Sequence, residues 1–335
     1  MLIKLRKRWE LKENQTTSES VYLNRRSFIK NAALGSVVLS AGMIAGCEEQ
    51  SAEATAAAPV KAQPSSLDPS AKYYPAARNE TYKLDRELSL EELATTYNNY
   101  YEFGSSKNIH EKAQSLPIRP WSIAIDGMVE KEMNLDIDDL FSKIEFEERL
   151  YRHRCVEAWS MAVPWTGFPL RKLVELAQPL SGAKYLRMET FNLPDIATGQ
   201  KAHWYPWPYI EGLTIEEATH DLAFIATGIY GKPMPKQNGA PLRLVTPWKY
   251  GFKSTKAVIK FTFTDKRPVS FWEEIQGSEY GFWANVNPEV PHARWSQATE
   301  QPLGKSERVP TLPYNGYAED IAYLYQNIKG ERLYT

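Results

Sequence analysis

Cysteine is nearly missing from this chain, with only Cys47 and Cys155 in 335 residues. Cys47 falls in the leader region described below. The folded part is therefore expected to hold one thiol and no intrachain disulfide, so its stability must come from packing. Histidine is scarce too. His110, His153, His203, His220 and His292 show no metal-ligand spacing, and none is assigned to a metal. A basic surplus is absent. The whole chain is formally −1, and its first 46 residues carry eight Lys/Arg against three Asp/Glu, which leaves 32 basic and 38 acidic residues, or −6, beyond them. Nucleic acid is thereby excluded as a partner class, because binding phosphate backbones needs a cationic footprint. The sequence also lacks internal repeats and a Cys-x-x-Cys-His haem motif, so electrons for any redox chemistry must come from another protein.

What is present begins with an export leader. Asn24-Arg25-Arg26-Ser27-Phe28-Ile29-Lys30 is a twin-arginine pair with an apolar position and a lysine behind it. Ala32 to Ala45 is uncharged and apolar, but shorter than the roughly 20 residues a membrane span needs. Residues 1–46 are expected to be a signal for the twin-arginine route, which delivers folded proteins to the periplasm. Ile44-Ala45-Gly46-Cys47 has the form of a lipobox, which would make a lipidated Cys47 the first mature residue; the alternative is cleavage at a small-x-small site within 52–58. Residues 47–72, rich in Ala, Ser, Pro, Gln and Glu, read as a flexible tether. The folded domain is expected over 73–335. Its 43% hydrophobic and 12% aromatic composition over the whole chain suits a well-buried core.

Within that region Ser89-Leu90-Glu91-Glu92 predicts a capping box and a helix to about Tyr97, with a loop over Asn98 to Gly104. Ser122 to Val129 alternates apolar and polar residues, with a hairpin signal at Asp126-Gly127. Asp136 caps a short helix whose apolar face is Ile137, Leu140, Phe141 and Ile144. Residues 146–154 predict a strand that enters a loop at Cys155, with Tyr151, His153 and Cys155 on one face. Pro169 opens a helix packed through Leu170, Leu173, Val174 and Ala177, and Thr214-Ile215-Glu216-Glu217 is a second capping box. In the strand Val258 to Phe263, Ile259, Phe261 and Phe263 should face one way. Strands and helices mix without a regular strand-helix-strand rhythm, so the expected class is α+β in a single domain.

Three readings compete for Cys155: an inert buried thiol, a nucleophile, or a single protein bond to a metal whose other ligands come from a cofactor. His153, two residues away on the same strand, is poorly placed as a base for the thiol. Arg152 and Arg154 are expected to lower its pKa. Asn238-Gly239 makes a tight turn before Pro241 and Arg243. The loop Trp248-Lys249-Tyr250-Gly251-Phe252-Lys253-Ser254-Thr255-Lys256 offers cations, hydroxyls and backbone N–H groups suited to a phosphate. Lys249 and Lys253 alone read as solvated surface charges. His203-Trp204-Tyr205-Pro206-Trp207-Pro208-Tyr209 either walls a substrate pocket or forms a rigid packed loop.

Taken in order, the twin-arginine leader, Asn98-Asn99-Tyr100-Tyr101-Glu102-Phe103, Arg152-His153-Arg154-Cys155-Val156-Glu157-Ala158-Trp159-Ser160, Gln237 to Arg243 and Trp248 to Lys253 resemble one family. It is that of the periplasmic protein-methionine-sulfoxide reductase catalytic subunits, single-domain relatives of sulfite oxidase. The resemblance runs from about residue 73 to the C-terminus. It implies a sulfite-oxidase fold holding a molybdenum–molybdopterin cofactor, with Cys155 as the metal's protein ligand. It further implies that Asn98, Tyr101, Glu102, Thr190, Asn238, Arg243, Ser254, Thr255 and Lys256 contact the pterin and its phosphate. Oxidised periplasmic proteins would be the substrates and a membrane haem subunit fed by quinol the electron donor. One departure from the sulfite oxidases bears on substrate. After the cysteine those enzymes carry a Gly-Asn-Arg-Arg-like run that helps to hold an anion. Here Val156-Glu157-Ala158-Trp159 has an acid and no arginine, which suits a neutral sulfoxide better than a sulfite dianion.

Overall fold

The computed structural model describes residues 68–335; the leader, Cys47 and most of the tether lie outside them. Residues 68–72, read from composition as the end of the tether, have a defined structure. Asp68 caps a 3-10 turn over Pro69–Tyr73, accepting from the Ser70 N–H at 2.9 Å and the Ser70 hydroxyl at 2.7 Å, and it pairs with Arg119 at 3.1 Å. Pro69 supplies a helix-compatible φ at the first position. Composition hides this lock, because Asp, Pro and Ser are also linker residues.

Two mixed sheets form the frame. The first runs β2 (Met133–Asp136), β1 (Ser122–Gly127), β10 (Val258–Thr264), β5 (Tyr185–Thr190), β6 (Ile210–Thr214), with only β1 and β10 parallel. The second is built on β4 (Trp159–Pro169), every residue of which is buried. Along one edge of β4 lies β3 (Glu147–Arg154), antiparallel from Arg154–Ser160 to Glu147–Gly167. Its other neighbours divide its length: β11 (Thr299–Pro302) is parallel to its start, and β7 (Phe224–Ile229) is antiparallel to its end. β8 (Lys232–Pro233) and β9 (Arg243–Val245) pair with β7, and β12 (Val309–Pro310) with β11. The helices are short: α1 (Glu91–Thr96), α2 (His110–Ala113), α3 (Ile137–Lys143), α4 (Leu170–Ala177), α5 (Ile215–Thr219), α6 (Phe271–Gln276) and α7 (Ala318–Ile321). The class is α+β. None of the described helices is long and apolar enough to cross a membrane.

Local signals hold where the side chain has no competing partner. Thr214 and Glu217 close a reciprocal capping box, Asp136 caps α3 through the Asp138 N–H, and α4 buries Leu170, Leu173, Val174 and Ala177. The box expected at Ser89 does not form. Ser89 is recruited by β4: its N–H donates to the Ala162 carbonyl and its hydroxyl accepts from the Ala162 N–H, so α1 starts uncapped at Glu91. In β10 a bulge between Val258 and Lys260 shifts the register. Val258, Phe261 and Phe263 are buried while Ile259 is only partly covered, so the expected alternation breaks at Ile259.

The largest correction concerns Lys249 and Lys253. Both are buried, not solvated. Lys249 Nζ lies 2.5 Å from Glu217 Oε1 and donates to the Trp283 carbonyl and Asn285 Oδ1; Lys253 Nζ lies 2.5 Å from Glu211 Oε2. Glu217 also accepts from the Tyr325 hydroxyl at 2.6 Å, which ties the C-terminal segment to α5. Removing one member of such a pair leaves a buried charge alone. Lys249→Met should therefore cost about 3–5 kcal/mol in chemical denaturation, against about 1 kcal/mol for Thr214→Ala at the adjacent cap.

Candidate active site

Cys155 heads the four-residue loop that joins β3 to β4. The loop is closed by the Cys155 N–H donating to the Trp159 carbonyl (2.9 Å) and the Ala158 N–H donating to the Cys155 carbonyl (3.0 Å). Ala158 turns the chain at φ 64°, in the left-handed region. The base of the loop is pinned by Arg154, which is fully buried. Its guanidinium donates to Glu300 Oε2 at 3.1 Å, Gln297 Oε1 at 2.8 Å, Thr311 Oγ1 at 3.2 Å and the Cys155 carbonyl. Arg152 points to Asp85 and the Asn315 carbonyl. Both arginines are engaged in structure; Arg154 still draws the thiol pKa down, as expected, but other influences outweigh it. Burial and then the neighbouring Glu157 carboxylate push the Cys155 pKa up to about 12.

The thiol faces a cavity of about 410 Å³. Asn98, Tyr101, Glu102, Arg243, Ser254, Thr255 and Lys256, all implicated by sequence, line it together with Cys155. Two others do not reach it. Thr190 lies behind the wall, its hydroxyl donating to the Phe191 carbonyl at 3.4 Å. Asn238 lies beneath Arg243, its carbonyl accepting from Nη1 at 2.9 Å and its amide donating to the Ala94 carbonyl. The Asn238-Gly239 turn depends on glycine: φ is +109°, and a Cβ would sit 2.9 Å from the Lys256 side chain. Gly251 also allows a close approach, since a Cβ there would meet His153 Nε2 at 2.6 Å.

Two cations of the cavity, Arg243 and Lys256, lack an ion-pair partner, although the acid Glu102 lines the same wall. Arg243 donates only to the backbone carbonyls of Asn238, Leu244 and Ser254 and lies over the Trp165 ring. Lys256 donates to the Asn99 carbonyl at 2.8 Å. Neither forms an ion pair with a carboxylate among the described residues, and burial lowers the pKa of both. His153 is kept neutral by burial and by Arg243 and Lys256. Burial raises the pKa of Glu102, the buried acid of this wall. Asn98 Oδ1, the Tyr100 hydroxyl and Thr255 Oγ1 are buried without hydrogen-bond partners. A bound anion with several donors and acceptors would answer all of these deficits. A phosphate on a heteroaromatic carrier is such a group, so the residues fit a molybdopterin. Among the described residues no cluster of three His, Cys, Asp or Glu stands ready for an ion. A metal at Cys155 would thus take its remaining ligands from the cofactor.

Sequence reading missed several residues of the mouth. Asn99 Nδ2 lies 3.5 Å from Cys155 Sγ and donates to Glu157 Oε2 at 3.0 Å, and the residue stands inside the motif that runs from Asn98 to Phe103. Lys107, paired with Glu157 at 2.6 Å, carries no local signal. The outer rim is aromatic. Tyr205, Tyr209, Phe252, Trp272, Tyr280 and Trp295 line it, and Trp272 packs edge-on to Tyr101 at 4.9 Å. Both readings of the 203–209 segment hold in part: Tyr205 and Tyr209 wall the cavity, whereas Trp207 packs against Phe271.

Residues 110–272 match the oxidoreductase molybdopterin binding domain family. Over 319 residues the chain is 44% identical to the protein-methionine-sulfoxide reductase catalytic subunit MsrP of Xanthomonas campestris pv. campestris, covering 93% of this chain and 94% of that protein. The chain belongs to this reductase family. The MsrP of Xanthomonas axonopodis pv. citri is likewise 44% identical over 322 residues, covering 94% and 95%. Among solved structures, the sulfane dehydrogenase SoxCD from Paracoccus pantotrophus overlaps 45% of this chain and 40% of that chain, at 20% identity and a TM-score of 0.39. For this family member the molybdopterin domain match spans β3, β4, and the Cys155 loop between them, together with Arg243 to Lys256.

Proposed function

We propose that this chain is the catalytic subunit of a periplasmic methionine sulfoxide reductase, converting oxidised methionine in proteins back to the thioether. The observation that carries the reading is Cys155 on the lining of a cavity that also holds two cations, the buried Arg243 and the half-buried Lys256, neither ion-paired to a carboxylate among the described residues. Family membership supports the substrate, and the twin-arginine leader supports the compartment. The net reaction takes two electrons and two protons per sulfoxide and releases water. When bound, a molybdenum–molybdopterin would supply a metal that accepts the oxygen atom and stores the electron pair.

The chain's own residues do the rest. Cys155 would hold the metal. Arg243, Lys256, Ser254 and Thr255 would hold the pterin and its phosphate, with Asn98, Tyr101 and Glu102 on the facing wall and Thr190 and Asn238 supporting from behind. The aromatic rim of Tyr205, Trp272, Tyr280 and Trp295 gives an apolar seat to the methionine side chain and restricts water. Glu157, with Lys107, Asn99 and Trp159 hydrogen-bonded to it, keeps its carboxylate below the usual pKa; its charge is matched by Lys107 and that of Arg294 by Glu279, so the mouth offers no unpaired cation to an anion such as sulfite and suits a neutral sulfoxide. A membrane haem subunit fed by quinol would supply the electrons.

The test uses purified exported protein with its metal content measured. With a chemically reduced dye as donor, an oxidised peptide should lose one oxygen per methionine by mass spectrometry. The peptide should turn over with a higher kcat/KM than dimethyl sulfoxide. Protein without about one molybdenum per chain would overturn the assignment, and equal or better use of the small sulfoxide would transfer it to the competing reading, a reductase of small S- or N-oxides.

A further inference from the structure

A carboxylate stands against the candidate metal ligand. Glu157 Oε2 lies 3.6 Å from Cys155 Sγ and accepts from Asn99 Nδ2 at 3.0 Å and Trp159 Nε1 at 3.1 Å. Once a metal is bound, that sulfur is a thiolate, and an ionised carboxylate beside it is repelled. Neutral donors alone leave the repulsion uncancelled. One cation touches the group: Lys107, on the loop between Gly104 and α2, places Nζ 2.6 Å from Glu157 Oε2 and donates to Asn99 Oδ1. No other Lys or Arg pairs with Glu157 among the described residues. A lysine has three donors and no acceptor, so it also requires Asn99 to present its oxygen outward and its NH2 to the sulfur and the carboxylate.

We propose that Lys107 is a positioning residue that supplies the counter-charge allowing Glu157 to lie against the metal-bound sulfur, and that it thereby sets the reduction potential of the site. The inference rests on the reading of Cys155 as the metal ligand. Without the lysine, an uncancelled negative charge next to the thiolate favours the more oxidised, more positive metal, and the potential falls. A surface ion pair with no such role would leave the potential where it is.

The experiment is a redox titration of the holoenzyme, followed by the metal's paramagnetic signal, in wild type, Lys107→Met, Lys107→Arg and the double variant Lys107→Met with Glu157→Gln. Lys107→Met should shift the potential to more negative values and lower kcat/KM about tenfold. Lys107→Arg should stay near wild type. The double variant, which removes both charges, should return the potential toward wild type. A wild-type potential in Lys107→Met, or an undiminished shift in the double variant, overturns the proposal. If Lys107→Met takes up no metal, restored loading in the double variant supports the proposal and absent loading overturns it. A wild-type chain without molybdenum overturns the reading of the site itself.

Discussion

Replacing Cys155 with serine lowers sulfoxide reduction by more than about 100-fold, beyond the usual effect of losing an outer partner of a metal ligand. A hydroxyl is a harder, far less acidic donor than a thiol, and the loop offers no ready substitute: the Glu157 carboxylate is held by Lys107, Asn99 and Trp159, and His153 is two residues back with its ring against Gly251. The loop itself should persist, because its closing bonds are made by backbone groups and by Arg154. The serine variant therefore folds like the parent, and the loss belongs to the site. Turnover with a reduced dye, read beside elemental analysis and thermal melting, checks this. Full turnover in the variant would end the case for Cys155 as ligand.

Arg243→Met produces a loss of similar size by another route. Cofactor content falls at least about tenfold, while the stability of the cofactor-free chain changes by no more than about 1–2 kcal/mol. The sign follows from where Arg243 sits. Its buried guanidinium is held by three backbone carbonyls and no carboxylate, so folding without the ligand already bears the cost of an unpaired charge. Methionine removes that cost and leaves the carbonyls short of donors, and the two effects nearly cancel. Arginine at this position is explained by the anion it would bind. Metal and pterin assays on the purified variant, with denaturant melts of cofactor-free protein, separate the two effects. A strongly destabilised cofactor-free variant would show Arg243 to be a packing residue instead.

Much of the site was legible because it lies in compact motifs. Asn98, Tyr101 and Glu102 fall within five residues, and Ser254 to Lys256 are consecutive, so a local pattern brings them to one wall together. Thr190 and Asn238 come from motifs of the same kind yet stand one layer back, because a motif fixes neighbourhood along the chain and not which side chain turns inward. The same limit explains Lys249 and Lys253. Their partners Glu217 and Glu211 lie more than thirty positions earlier, and a lysine read without its partner looks solvated. Ser89 shows the converse: a correct local grammar for a helix cap was overridden by β4, to which the same atoms bond. Arg154 was visible beside Cys155, but its commitment to Glu300, Gln297 and Thr311 depends on β11 and the segments flanking it, far along the chain.

The high pKa of the Cys155 thiol has a consequence for assembly. A sulfur held protonated at neutral pH reacts poorly with peroxides and disulfides, so in a chain awaiting a prosthetic group this thiol should resist an alkylating reagent at neutral pH. Under the proposed ligation, insertion of the group would expel that proton from the sulfur. Maturation should accordingly acidify its surroundings and run faster in mildly alkaline buffer, a dependence that the finished enzyme has no reason to share.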